Sequence, residues 1–275
     1  MSKVKRIAAV LLCLVMITGC FMIPGSAATN GAIQPFAIIT ALSINVRDKA
    51  GTDGNRIGGL TIGKEVDVYD TVTSGDSIWY KIKYDGKDGY IDGSNAVLVK
   101  NIGMVNAGAV NVRTEPSKSA TRVTELTLGD EVYICDTVKA DGETWYKIYA
   151  VLGYAYVMAN YVSIMTMPVS DVSATWNNDI ILKVVGHNIP AGYTIYVDGK
   201  AFSSEGTSEL VCPVPLGTLT ESRDVRIIVR DKLGVARIDR TATVRVNNGF
   251  IGKLIAYIGY IFSGFKWGGQ TVQIG

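Results

Sequence analysis

Apolar and polar residues alternate with a period of two through much of this chain. Val66 and Val68 oppose Asp67 and Tyr69, and Val132 and Ile134 oppose Tyr133 and Cys135, as strands with one buried face require. Gly63-Lys64 and Gly129-Asp130 supply a turn before each of those strands. Tyr80, Ile82 and Tyr84, then Tyr90-Ile91, flank Asp85-Gly86-Lys87-Asp88-Gly89, a hairpin signal. Further candidate strands lie at 169–174, 180–185, 194–197, 209–214, 225–230 and 236–246, with turn residues such as Pro190-Ala191-Gly192 and Asp198-Gly199-Lys200 between them. From Val225 to Arg230 the aliphatic Val225, Ile227 and Val229 share one face and the basic residues the other, the pattern of an antiparallel sandwich. The tail differs. Phe250, Ile251, Leu254, Ile255, Tyr257, Ile258, Ile261, Phe262 and Phe265 recur at helical spacing and predict a short apolar helix.

The first half repeats itself. Asn45-Val46-Arg47 recurs as Asn111-Val112-Arg113, an offset of 66 residues, and the same offset superposes Glu65-Val66 on Glu131-Val132. It continues without a gap through Asp70-Thr71-Val72 on Asp136-Thr137-Val138, Trp79-Tyr80-Lys81-Ile82 on Trp145-Tyr146-Lys147-Ile148, and Tyr90 on Tyr156. One register held over so many positions is a tandem duplication. About five short strands in roughly 60 residues describe a small closed β-barrel.

The run Asn-Val-Arg, Pro116-Ser117, Gly-Asp-Glu-Val, Trp-Tyr-Lys-Ile and a final Tyr-Val resembles the bacterial SH3-like domain. The second copy, about 105–165, carries the fuller match. The first, about 38–100, has Asp48-Lys49-Ala50-Gly51 where the second has Thr114-Glu115-Pro116-Ser117, so its first loop is expected to differ in shape. The resemblance implies noncatalytic modules that dock exported proteins onto peptidoglycan or a cell-wall peptide, in a groove between the first long loop and the strands. Residues 166–247 predict an immunoglobulin-like sandwich of six or seven strands, joined through a linker at Met165–Pro168. The expected fold class is therefore all-β: two SH3-like barrels, an immunoglobulin-like β-sandwich and a short apolar C-terminal helix within 248–275. That helix is short for a membrane span. Its alternatives are docking on the sandwich or on a second copy, lying at a membrane surface with Lys253, Lys266 and Trp267 at its flanks, or giving way to a strand pair. Residues 250–267 are accordingly the expected site of any membrane-surface contact or self-association.

The start of the chain changes how its charge is read. Lys3, Lys5 and Arg6 precede an apolar run from Ile7 to Ile23, then Pro24-Gly25 and the small residues Ser26-Ala27-Ala28, an export signal over 1–28. Ile17-Thr18-Gly19-Cys20 is lipobox-like, so lipidation at Cys20 is the competing reading. Without its three basic residues, 24 of the 27 basic residues remain against 25 acidic ones, a net charge of −1. Such a chain has no overall field to attract nucleic acid, and none is expected as a partner. Cys135 and Cys212 fall in different predicted domains and are expected to be buried thiols.

Little in the sequence predicts catalysis. His187 is the one histidine, placed in a loop, which is too few for a zinc site and leaves a Cys-His hydrolase without an adjacent pair. Asp85, Asp88 and Asp92 lack the spacing of a calcium loop and read as turn residues. No cofactor, no metal and no enzyme activity are expected. What remains is dense aromatic surface, and Trp79, Tyr84, Tyr90, Trp145, Tyr149, Tyr154 and Tyr156 are the candidate ligand-binding residues. Alternation puts Trp79 and Tyr80 on opposite faces of one strand, one towards the core and one near the surface. Arg47 and Arg113 recur together with Glu65 and Glu131, which predicts an ion pair inside each copy, with ligand contact by the arginines as the alternative.

Overall fold

The computed structural model describes residues 32–150, 153–167, 169–174, 180–247 and 271–274. The expected export signal, Cys20, and the expected helix with its 250–267 contact surface lie outside these residues.

The first barrel comprises β1 (Phe36–Ile39), β2 (Ser43–Arg47), β3 (Arg56–Thr61), β4 (Glu65–Ser74), β5 (Ser77–Tyr84), β6 (Lys87–Asp92) and β7 (Ala96–Val99). The second repeats it as β8 (Asn101–Val105), β9 (Val110–Arg113), β10 (Arg122–Leu126), β11 (Glu131–Ala140), β12 (Glu143–Ala150), β13 (Gly153–Met158) and β14 (Val162–Ile164). Strand order is β3-β2-β6-β5-β4-β1-β7 in one and β10-β9-β13-β12-β11-β8-β14 in the other, the same topology twice. The long strand of each copy turns the sheet back on itself. β4 pairs β1 through Glu65–Asp67 and β5 from Val68 onward, with a bulge between Val68 and Asp70; β11 has its bulge between Ile134 and Asp136. All seven strands then converge on one cluster, from Ala37 and Ile39 through Val46, Leu60, Val68, Ile82 and Ile91 to Ala96. Such convergence is what makes a seven-stranded sheet a barrel. The hairpin between β5 and β6 turns at Asp85 and Gly86, with φ of 48° and 76°, a conformation that Asp-Gly adopts readily.

The third region has two sheets. β15 (Val169–Ala174), β16 (Ile180–His187) and β19 (Glu209–Gly217) form one. β17 (Thr194–Val197), β18 (Lys200–Ser203), β20 (Arg223–Arg230), β21 (Ala236–Asn247) and β22 (Thr271–Ile274) form the other, in the order β18-β17-β20-β21-β22. Leu182, Val184 and Cys212 of the first sheet and Ile195, Val225, Ile227 and Val244 of the second share one buried cluster, the alternating faces predicted for Val225–Arg230 among them.

Three expectations are corrected. The fold is all-β, with no α-helix among the described residues, and the end of the tail is a strand, β22, running antiparallel to β21 from Thr271 opposite Asn247 to Ile274 opposite Val244. The helical count rested on residues 250–265, whereas Thr271-Val272-Gln273-Ile274 alternates with period two after Gly268-Gly269. Of the expected linker Met165–Pro168, the described residues 165–167 are packed: Met165 and Met167 are buried in the same cluster as the sandwich, and Thr166 bridges the backbone of His187. His187 itself ends β16, half-buried, instead of sitting in a loop.

The shared cluster also takes in the barrels. Ile33, Phe36, Val97 and Val99 of the first and Ile102 and Cys135 of the second pack into it with the sandwich residues. β1 is thus buried on both faces, Ala37 and Ile39 towards its own barrel and Phe36 towards the sandwich.

Candidate functional site

The recurring arginines and glutamates lie on different sides of each barrel. Arg47 closes β2 opposite Tyr90, and its Nη1 donates to the Gly54 carbonyl at 2.6 Å; Arg113 Nη1 donates to the equivalent Ala120 carbonyl at 2.7 Å. Each arginine therefore ties down the long loop that follows its strand. The expected pairing with Glu65 and Glu131 does not form, because the register puts Glu65 opposite Ile38, on the edge facing the sandwich. There Glu65 meets Arg237 at 2.8 Å, and Glu131 accepts from the Tyr193 hydroxyl at 2.5 Å and meets Lys232 at 3.5 Å.

Beside each tied loop is a pocket. In the first copy it is lined by Ser43, Ile44, Asn45 and Arg47 of β2, Thr52 of the loop, Trp79 of β5, Asp92 and Asn95, and holds about 210 Å³. In the second it is lined by Ala109, Val110, Asn111 and Arg113, Lys118 of the loop, Trp145 of β12, Met158 and Tyr161, and holds about 300 Å³. Every lining residue of one pocket lies 66 positions from a lining residue of the other. The floor is a tryptophan in both. Trp79 and Trp145 are 3% and 1% exposed, yet neither joins a barrel's apolar cluster, since alternation sends Tyr80 and Ile82 inward and turns Trp79 to the opposite face.

The loops differ as expected. In the first copy Asp48 accepts from the backbone and side-chain nitrogens of Asn55, both at 2.8 Å, and Lys49 pairs with Asp53 at 2.7 Å. The Asn55 side-chain bond holds the Asp48 carboxyl below its ordinary pKa. In the second copy the loop is tied to β12 instead, with Lys118 Nζ on Glu143 Oε1 at 2.5 Å. Two carboxylates of the first hairpin are occupied too. Hydrogen bonds from Lys81 and Lys83 hold Asp88 down to about 2, and Asp92 Oδ1 accepts from the Ser94 backbone at 2.9 Å, capping a short 3-10 turn.

The candidate aromatics divide. Trp79 and Trp145 line the equivalent pockets. Tyr84 packs on the first barrel's core, where a side-chain carbon on Gly58 would come within 2.3 Å of its ring. Tyr90 and Tyr156 lie opposite Arg47 and Arg113 in the ladder, half-buried. Tyr149 packs against the shared cluster and meets Tyr154 edge-to-face at 6.2 Å. Tyr154, with Lys147 Nζ 3.7 Å over its ring, lines a separate cleft of about 480 Å³ between the barrels with Tyr80, Leu98, Lys100 and Asp136. Burial raises the pKa of both Tyr80 and Tyr154 there. Aromatic density did not point to Asn45, Asn111, Lys118 or Met158; the equivalence of the two pockets does.

The bacterial SH3 domain family matches residues 41–97 and 108–163. No curated protein matches the chain. Among solved structures it is similar to NlpC2 and NlpC1 of Trichomonas vaginalis, at 14% and 17% identity over 48% and 53% of this chain, with a TM-score of 0.23 each. The alignments cover 48% and 51% of those two chains, about half their length. A proposed autolysin of Listeria monocytogenes is similar at 12% identity over 77% of this chain and 94% of its own, again with a TM-score of 0.23. Likeness at that level says nothing about activity. The family match falls on the two barrels, whose strand order and pocket positions coincide, and those two segments are tandem bacterial SH3 domains.

Proposed function

We propose that this is an exported, noncatalytic cell-wall protein that takes peptidoglycan or a cell-wall peptide at the pockets over Trp79 and Trp145. The observation that carries this reading is that the same eight positions of the repeat form a pocket in both copies. A small pocket closed at its base by a tryptophan, with asparagine and arginine on its wall in both copies, suits a glycopeptide group. Two weak sites on one body act together through effective concentration. Export rests on the leader pattern of residues 1–28. Against catalysis stand the buried thiols of Cys135 and Cys212, which burial pushes up to about 11, far from the low pKa a nucleophile needs. The third region serves as an immunoglobulin-like platform, a reading supported by its three-strand and four-strand sheets before β22 is added.

Retention on purified sacculi tests the proposal, using the protein from residue 29 onward. Asn45 and Asn111 are exposed pocket residues, so Asn45→Phe with Asn111→Phe fills both pockets without entering a core. The intact protein should be retained and the double variant should bind at least ~10-fold more weakly, a loss of about 1.4 kcal/mol. Equal retention of the two would show that the pockets are not the binding sites.

A further inference from the structure

We infer that the two pockets have diverged in ligand chemistry, and that the second is a site for a carboxylate carried on an apolar body. This rests on reading the pockets as ligand sites and goes further by naming what one of them selects. Five lining positions differ between the copies; Ile44 to Val110 changes only size, and the other four change chemistry. Asp92 is replaced by Met158, Asn95 by Tyr161, Thr52 by Lys118 and Ser43 by Ala109.

The exchanges run in one direction. The first pocket sets Asp92 against Arg47, so its lining charges cancel, and its rim is hydroxyl and amide. The second has lost its carboxylate and gained a lysine beside Arg113, while Met158 and Tyr161 make the wall around Trp145 apolar. Lys118 shares its ammonium with Glu143, which is not part of the lining, and Arg113 spends one N–H on the Ala120 carbonyl. A net positive potential remains over an apolar floor.

A second observation points the same way. Trp145 is 1% exposed, and its indole Nε1 is buried without a hydrogen-bond partner. Leaving such a donor unpaired is unfavourable, and an acceptor brought by a ligand relieves it. An indole N–H only donates, so the partner that would satisfy it is an acceptor. With Arg113 and Lys118 at the same pocket, a carboxylate satisfies both demands.

The test follows the indole N–H resonances of the uniformly 15N-labelled protein, assigned by single Trp→Phe variants among the four tryptophans. The probes are N-acetyl-D-alanyl-D-alanine and its C-terminal carboxamide. The free acid should shift the Trp145 indole proton downfield saturably, leave Trp79 in place, and bind at least tenfold more tightly than the carboxamide. Met158→Asp, which installs the first copy's residue, should weaken the acid about tenfold through like-charge repulsion. Equal response of Trp79 and Trp145, or equal binding of acid and carboxamide, overturns the divergence. No shift with a protein that still binds sacculi overturns the carboxylate assignment alone, whereas loss of sacculus binding as well removes the parent reading.

Discussion

Arg237 is 3% exposed, with its guanidinium 4.2 Å over the Phe36 ring and paired to Glu65 at 2.8 Å and Asp231 at 2.7 Å. It joins the sandwich to the first barrel, and the second barrel is drawn in by Tyr133, edge-on to Phe36 at 5.6 Å. Arg237→Ala leaves the buried Asp231 carboxylate without its counter-charge and should cost about 3 kcal/mol of unfolding free energy, measured by urea titration. Arg113→Ala should cost less, about 1–2 kcal/mol, and speed proteolysis within 114–121, since only a loop tie is lost. The thiols give a pH prediction. Burial raises Cys135 and Cys212 from 9.0 to about 11, so the folded state holds those protons more tightly than the unfolded chain. Their contribution is full below pH about 9 and is lost as pH rises towards about 11. Urea titrations across that range should show falling stability, with a shallower fall in the Cys135→Ala, Cys212→Ala double variant. At this scale the sequence named the recurring residues but not their partners, because Glu65 and Glu131 answer to the sandwich, which a repeat comparison within the barrels does not contain.

Elements were legible where one face is wet. β20 alternates cleanly, β11 alternates only as far as Ile134, where its bulge leaves Cys135 buried as well, and the Asp85-Gly86 hairpin follows from turn chemistry. β1 was not legible. Phe36-Ala37-Ile38-Ile39 is an unbroken apolar run because the barrel covers one face and the sandwich the other, and such a run has no period. β22 was hidden by the apolar residues before it, whose helical spacing says nothing about the four that follow. It covers the outer edge of β21. Ending the chain at residue 270 should accelerate amide exchange across 244–247 and promote self-association through the bared edge, read by hydrogen exchange and light scattering.

At the scale of the molecule, the three regions share one apolar cluster that includes the stretch read from sequence as a linker. Separate modules would melt separately; this chain should unfold in one calorimetric transition, with the calorimetric and van't Hoff enthalpies agreeing. The candidate site was half legible. The sequence pointed to Trp79 and Trp145 by their recurrence, but the aromatic density around them belongs to cores and to the cleft between the barrels, because strand alternation spreads the tyrosines over several surfaces. The pockets over these two tryptophans are the proposed seat of the wall ligand. Chemical-shift mapping with solubilised peptidoglycan fragments tests it most directly. Perturbations should centre on Asn45, Arg47 and Trp79 and on Asn111, Arg113 and Trp145; perturbations confined to the cleft around Tyr80 and Tyr154, or to the sandwich, would show that the ligand sits elsewhere.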